Sequence, residues 1–219
     1  MKKYLMMLSA AMLMFSCGGN TPKNKVDGTD AEKAASGEGQ ELVVDTQASS
    51  IYWKGSKVGG EHDGTISLKS GSLAVNGEEV VSGSFVVDMN SIVNNDLTQK
   101  EMNEMLVNHL KSEDFFDVAK YPESSFAVTK IVPAEVATDS VTHMVSGNFK
   151  MKDAEKNITF GAKITKEGNV YKAVTVPFTI DRTQWGVQYG SKSIFSDLKE
   201  NIVSDFIELQ ITIVATGKE

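Results

Sequence analysis

From Leu42 to the C-terminus, apolar and polar residues alternate with a period of two. Phe85, Val87 and Met89 share one parity, with Ser84 and Asp88 on the other. Val145, Gly147, Phe149 and Met151 alternate with Ser146, Asn148, Lys150 and Lys152, and Ile158, Phe160, Ala162 and Ile164 with Thr159, Lys163 and Thr165. Near the end, Ile207, Leu209, Ile211, Ile213 and Ala215 alternate with Glu208, Gln210 and Thr212. Successive side chains of a strand point to opposite faces, so each run predicts a strand with one buried and one wetter face. Turn residues separate the runs: Asn76-Gly77, Lys152 to Glu155, and Glu167-Gly168-Asn169 each predict a hairpin. In TISLKSGSLAV the apolar parity flips from Ile66 and Leu68 to Leu73 and Val75, which predicts a β-bulge at or beside Gly71.

Two segments break this period. Over 98–112, Met102, Met105, Leu106, His109 and Leu110 recur at helical spacing; over 192–202, Ile194, Phe195, Leu198 and Ile202 do the same. About eight strands joined by short hairpins, without the spacing of βαβ units, predict an all-β fold. Its economical form is a lipocalin-like eight-stranded antiparallel β-barrel, flanked or capped by one or two short helices.

Upstream of Leu42 the chain changes character. Met1-Lys2-Lys3 is a short basic stretch, and Tyr4 to Phe15 is an apolar run of about 12 residues, against the roughly 20 that span a bilayer. It meets Ser16-Cys17-Gly18-Gly19, and Cys17 is the sole cysteine. A small residue before a lone Cys at the end of such a run resembles a bacterial lipobox, although Met14 and Phe15 stand where that pattern usually has Leu and a small residue. The expectation is a lipoprotein signal peptide over 1–16 and acylation of Cys17. That would give a lipid-anchored protein of the bacterial cell envelope, on the periplasm-facing outer membrane. Residues 17–41 carry few apolar side chains to offset their chain entropy and are expected to form a disordered tether. Residues 42–217 remain as one domain, with no disulfide to brace it.

Losing Lys2 and Lys3 takes the net charge from −7 to −9. That balance argues against nucleic acid, whose affinity rests largely on Lys and Arg at phosphates. The three histidines, His62, His109 and His143, are widely separated, and there is no second Cys, so no zinc-like ligand set is predicted. Glu113, Asp114 and Asp117 flank Phe115-Phe116 after a helix end, where such residues cap turns. No nucleophile elbow, dinucleotide fingerprint or phosphate loop is present. Arg182, the only arginine, sits in FTIDRTQWGV; a five-donor fork used once points to a carboxylate partner, with Asp114 and Asp117 the candidates.

The stretch NHLKSEDFFDVAKYPESSF resembles the central signature of the YceI-like family of lipid- and polyisoprenoid-binding proteins. The matching positions are His109, Leu110, Lys111, Ser112, Asp114, Phe115, Phe116, Lys120, Tyr121, Pro122 and Phe126. VDMNSIVNND, VSGNFKMKDAEKNITF and IDRTQWGV resemble further family elements in the same order, covering Asp45 to Ala215. In the central hairpin, Asn157 stands where the family usually has proline. The resemblance implies a barrel around an elongated apolar cavity that takes a polyisoprenoid or isoprenoid quinone, with no other cofactor and no catalysis. The candidate cavity or mouth residues are then Phe85, Phe126, Phe149, Phe160 and Phe178 in the strands. Met102, Met105, Leu106 and His109 would come from the helix, Phe115 and Phe116 from the joint after it, and Arg182 and Trp185 from the IDRTQWGV element. Partners are the lipid and the membrane through Cys17, with a homodimer left open. The alternative is a non-binding structural or stress-related envelope lipoprotein whose barrel is filled by its own side chains. An enzyme acting on a prenyl diphosphate is disfavoured by the missing metal ligands, the acidic charge and the solitary Arg.

Overall fold

The computed structural model of the protein describes residues 22, 24–37, 39–198 and 201–217. The apolar run through Phe15 and Cys17, with the signal peptide and acylation expected of them, lie outside the described residues. The strands are β1 (Lys25–Val26), β2 (Gln40–Val44), β3 (Ser50–Lys57), β4 (Gly60–Ile66), β5 (Leu68–Asn76), β6 (Glu79–Asp88) and β7 (Val93–Asn94). After helix α1 (Lys100–Lys111) come β8 (Glu123–Pro133), β9 (His143–Met151), β10 (Ala154–Glu167), β11 (Val170–Thr175), β12 (Phe178–Asp181) and β13 (Val203–Gly217).

β13 pairs with β3 and then β2 along one flank, and with β12 and then β11 along the other. β2/β3, β4/β5 and β11/β12 are therefore single staves with a break, and the ring contains eight antiparallel staves in chain order. The last closes on the first, which leaves no long open edge. The hairpins fall where the turn residues place them: Gly77 (φ 63°), Lys152 (φ 53°) and Gly168 (φ 61°) supply the left-handed backbone the tight turns need. The parity flip is resolved by a bulge at Lys69, two residues before Gly71, because Leu68 faces Val87 while Ser70 faces Val86.

Two expectations are corrected. The second helix does not form in the described part of 192–202: residues 192–198 are turns in which the Ile194 and Phe195 amides both donate to the Ser191 carbonyl. Short helices depend on burying their apolar face, and Ile194 and Phe195 remain exposed. The tether, in turn, is ordered over 24–37. β10 pairs with β11 only from Ala162 onward, which leaves the wall open between the first half of β10 and β12. β1 fills that opening, parallel to β12 (Lys25 beside Thr179, Val26 beside Ile180), and Thr29 bridges Asn157 of β10 with hydrogen bonds in both directions. The strap then crosses β9, where Glu32 N–H donates to Asn148 Oδ1 (3.0 Å) and Asn148 Nδ2 donates to the Glu32 carbonyl (2.6 Å). It reaches β8 where Ala35 N–H donates to the Val128 carbonyl (2.8 Å), beside a bulge at Thr129. Backbone hydrogen bonds and two buried asparagines hold this segment, and a composition poor in apolar residues does not register them.

Candidate functional site

The inward faces of the staves leave a cavity of about 430 Å³ through the barrel. Every inward parity set contributes: Phe85, Val87 and Met89; Val145, Phe149 and Met151; Ile158, Phe160, Ala162 and Ile164; and Ile207, Leu209, Ile211 and Ile213. Four phenylalanines cross the interior in a row: Phe85 to Phe126 (6.4 Å between ring centres), Phe126 to Phe160 (5.5 Å), and Phe160 stacked on Phe178 (4.7 Å). Gly147 makes this row possible. A Cβ there would lie 2.2 Å from the Phe126 ring, so only glycine lets the ring rest on β9.

One end of the barrel carries the Val58-Gly59 hairpin, α1 and the long 182–202 connection. Most of the exposed lining residues, Ser56, Lys57, Val58, Tyr189 and Asn201, cluster there and mark the mouth, while Lys172 lies towards the opposite end. At the opposite end Tyr171 is buried, and its hydroxyl donates to the Gly77 carbonyl (3.2 Å).

The mouth is organised by the segment that joins α1 to β8. Phe116 N–H reaches back to the Leu110 carbonyl and Val118 N–H to that of Lys111, while Asp117 takes a left-handed φ of 47°. This tight exit turns Phe115 and Phe116 under the helix, and Lys152 Nζ fixes the Phe115 carbonyl from the opposite hairpin (3.0 Å). His109 lies edge-on to Phe115 (5.0 Å) and to Tyr189 (4.7 Å), with Nε2 3.0 Å from the Asp114 carboxylate. Below them the Tyr121 hydroxyl meets Asp153 at the β9–β10 turn.

Arg182 holds the other side of the mouth, and not through the acids expected of it. Its Nε donates to the Ser204 carbonyl (2.8 Å), Nη1 to Val187 (2.7 Å), and Nη2 to Tyr189 (2.8 Å) and Val203 (3.1 Å). Asp114 and Asp117 take no part; the nearest carboxylate is that of Asp205, at 3.8 Å. The guanidinium lies 5.8 Å over the Phe115 ring. Burial pushes the Arg182 pKa below its usual value, while Asp205 and Asp181 oppose the shift. Arg182 thus ties the 182–202 connection to the start of β13 and brings Tyr189 to His109.

Of the thirteen candidate residues, ten line the cavity or its mouth: Phe85, Leu106, His109, Phe115, Phe116, Phe126, Phe149, Phe160, Phe178 and Arg182. Met102 and Met105 do not; both are exposed on the outer side of α1, which turns only Leu106, His109 and Leu110 inward. Trp185 is buried outside the cavity lining, with its indole N–H donating to the Phe149 carbonyl (3.0 Å). The lining also includes residues the sequence reading passed over. Ile51 and Trp53 on β3 carry a period-two signal that could have found them; Tyr189 in an irregular loop carries none. Of the other two histidines, His62 also lines the cavity and pairs with Asp96 (2.8 Å), whereas His143 lies outside that lining, beside the Thr142 hydroxyl (2.8 Å).

The family model described as the YceI-like domain matches residues 42–215. A UPF0312 protein of Yersinia enterocolitica is 33% identical over 61 residues, an alignment that spans 28% of this chain and 29% of that relative. Among solved structures, Burkholderia cenocepacia BcnA superposes with a TM-score of 0.61 at 20% identity, covering 79% of this chain and 99% of that one. A polyisoprenoid binding domain from Saccharophagus degradans, implicated in plant cell wall breakdown, gives a TM-score of 0.60 at 15% identity, covering 81% of this chain and 98% of its own. At these identities the likenesses show a shared fold. With the family model spanning the barrel from β2 into β13, the chain belongs to the YceI-like domain family.

Proposed function

We propose that the protein binds one amphiphilic isoprenoid-type lipid, a polyisoprenoid or an isoprenoid quinone, in its barrel without transforming it. It would sequester or ferry that lipid in the bacterial cell envelope, anchored through acylated Cys17. The observation that carries this reading is the cavity: about 430 Å³, walled largely by apolar side chains. That volume falls within the roughly 300–1,000 Å³ of small-molecule sites. The Phe85–Phe126–Phe160–Phe178 row offers apolar contact along a chain without directional demands. The polyisoprenoid-binding description of the Saccharophagus domain supports the ligand class. Arg182 bears on the head group: four of its N–H groups already serve backbone carbonyls, which favours a neutral head group over a diphosphate.

Protein purified from its own cells and taken through native and then denaturing mass spectrometry tests the reading. A co-purifying isoprenoid lipid is the expected result; empty protein in several independent preparations sinks it. Fractionation of a Cys17→Ala variant tests the anchor, which requires release from the membrane pellet.

A further inference from the structure

Opposite the mouth, the cavity ends on Tyr171. From β11 its side chain crosses the barrel end, where its hydroxyl donates to the carbonyl of Gly77 in the β5–β6 turn (3.2 Å). The residue is 4% exposed. On the side away from the cavity, Lys166 Nζ lies 5.8 Å from the ring centre and 3.1 Å from the Glu78 carboxylate of that turn. Leu42, Val44, Val75 and Ala215 fill the barrel end beside β2, β5 and β13; all four are buried and none faces the cavity. Towards β6, β8 and β10 lies a second hollow of about 210 Å³, ringed by Glu78, Glu79, Pro133, His143, Thr165 and Lys166. Val80, Ile131, Ile164 and Tyr171 face both spaces, so the partition between them is one layer of side chains thick.

We propose that Tyr171 is the stop that limits how long a chain the barrel accepts, with the ligand lying tail first against it. This rests on the reading that the barrel binds an isoprenoid-type lipid. The direction follows from where the lining carries charge. Lys57, His62, His109 and Arg182 all sit at the mouth end. Among the described lining residues that leaves Lys172, which is exposed and stands on the outward parity between Tyr171 and Ala173. The closed end presents Leu73, Val80, Ile131, Ile164 and Ala173 around the Tyr171 ring. An apolar tail finds contact there, whereas a polar head group would be stripped of water without a partner. Tyr171 is the largest of the four partition residues and the only buried one, and its hydroxyl is already engaged by Gly77. A ring held at both its root and its tip resists being pushed aside, so it ends the cavity at a fixed depth. Without that ring the two spaces would join, and the room for a chain would grow by about half.

The test uses the full chain carrying Cys17→Ser, stripped of lipid and offered an equimolar ladder of all-trans prenyl alcohols that differ by single isoprene units. Native mass spectrometry reads which alcohols are bound. The parent should accept alcohols up to a limiting length and discriminate against the next by about tenfold or more. Tyr171→Ala should raise that limit by at least one isoprene unit. Tyr171→Leu, which keeps more of the packing, should move it in the same direction. Ala173→Leu, one inward position nearer the mouth, should lower it. Thermal melting identifies the folded variants on which the limit is read. A folded Tyr171 variant with the parent's limit, an Ala173→Leu variant with the parent's limit, or a parent that takes every length alike would each overturn the stop while leaving lipid binding in place. A parent that takes up no prenyl alcohol would overturn both.

Discussion

Replacing Arg182 with Met keeps most of the apolar stem and removes every donor. Four carbonyls, those of Val187, Tyr189, Val203 and Ser204, would lose their partner at once, in a site where Arg182 is 1% exposed. The Asp205 carboxylate would lose its only cation within 4.0 Å among the described residues, where its buried Oδ1 already has no hydrogen-bond partner. Removing one member of such a buried charged network costs about 3–5 kcal/mol. With a urea dependence of about 2 kcal/mol per molar for a domain of this size, the unfolding midpoint should fall by roughly 1.5–2.5 M. Trp53 and Trp185 both lie in the two packed clusters of the core, so their fluorescence reports the transition. Adding Asp205→Asn to the Met variant should recover about 1 kcal/mol or more, because the stranded charge is gone. A midpoint shift below about 0.5 M would refute the view that this cation organises the mouth. A double variant no more stable than the single one would refute the role given to Asp205.

Gly147→Ala places a methyl group against the Phe126 ring and forces it into the cavity. It should cost about 1–3 kcal/mol in urea melts and weaken binding of a fluorescent fatty-acid probe. Asn157→Pro removes the N–H that donates to the Thr29 carbonyl (3.0 Å) and the side chain that donates to Asn148. Amide exchange at Thr29 and Ala35 should accelerate about tenfold or more, and unchanged protection would show that the strap does not depend on that bridge. Asp96 is shaped by burial, which disfavours its charge, and by hydrogen bonds from His62, Asn94 and the Asp63 amide, which outweigh burial and hold its pKa at about 2. A depressed carboxyl pKa stabilises the fold above the unfolded value of about 3.9, and that contribution fades as pH falls through 2. Asp96→Asn should therefore lower stability at neutral pH, and its gap to the parent should close towards pH 2; a gap independent of pH would contradict the assignment.

How far the sequence carries depends on what holds each part. The staves are legible because a strand has only two faces: once Val145, Phe149 and Met151 share a parity, their common side follows, and all three line the cavity. α1 is legible as a helix but not in its rotation. Its apolar stripe runs from Met102 to Leu110, wider than the part the barrel covers, and packing against Phe115 and Phe116 chose the Leu106–Leu110 edge. Arg182 announces itself as the solitary arginine, yet its partners are loop carbonyls, which no residue type marks. Asn157 is the instructive case. It replaces the proline expected from the family resemblance, and a proline there would have no N–H for Thr29. The departure and the strap are two ends of one contact, 128 residues apart in the chain.

The strap also constrains the order in which the chain can fold. Its first docking partner, β12, lies 154 residues downstream of β1, and closure of the barrel waits for β13, the last strand to be made. Contacts of such long range must overcome a large loop entropy before they stabilise anything, and they form late and slowly. The strap is therefore without its partner until β12 has emerged, and it is the last piece of wall to be set. Whatever acts on residues 24–37 has that interval in which to do so before the strap is drawn into the sheet.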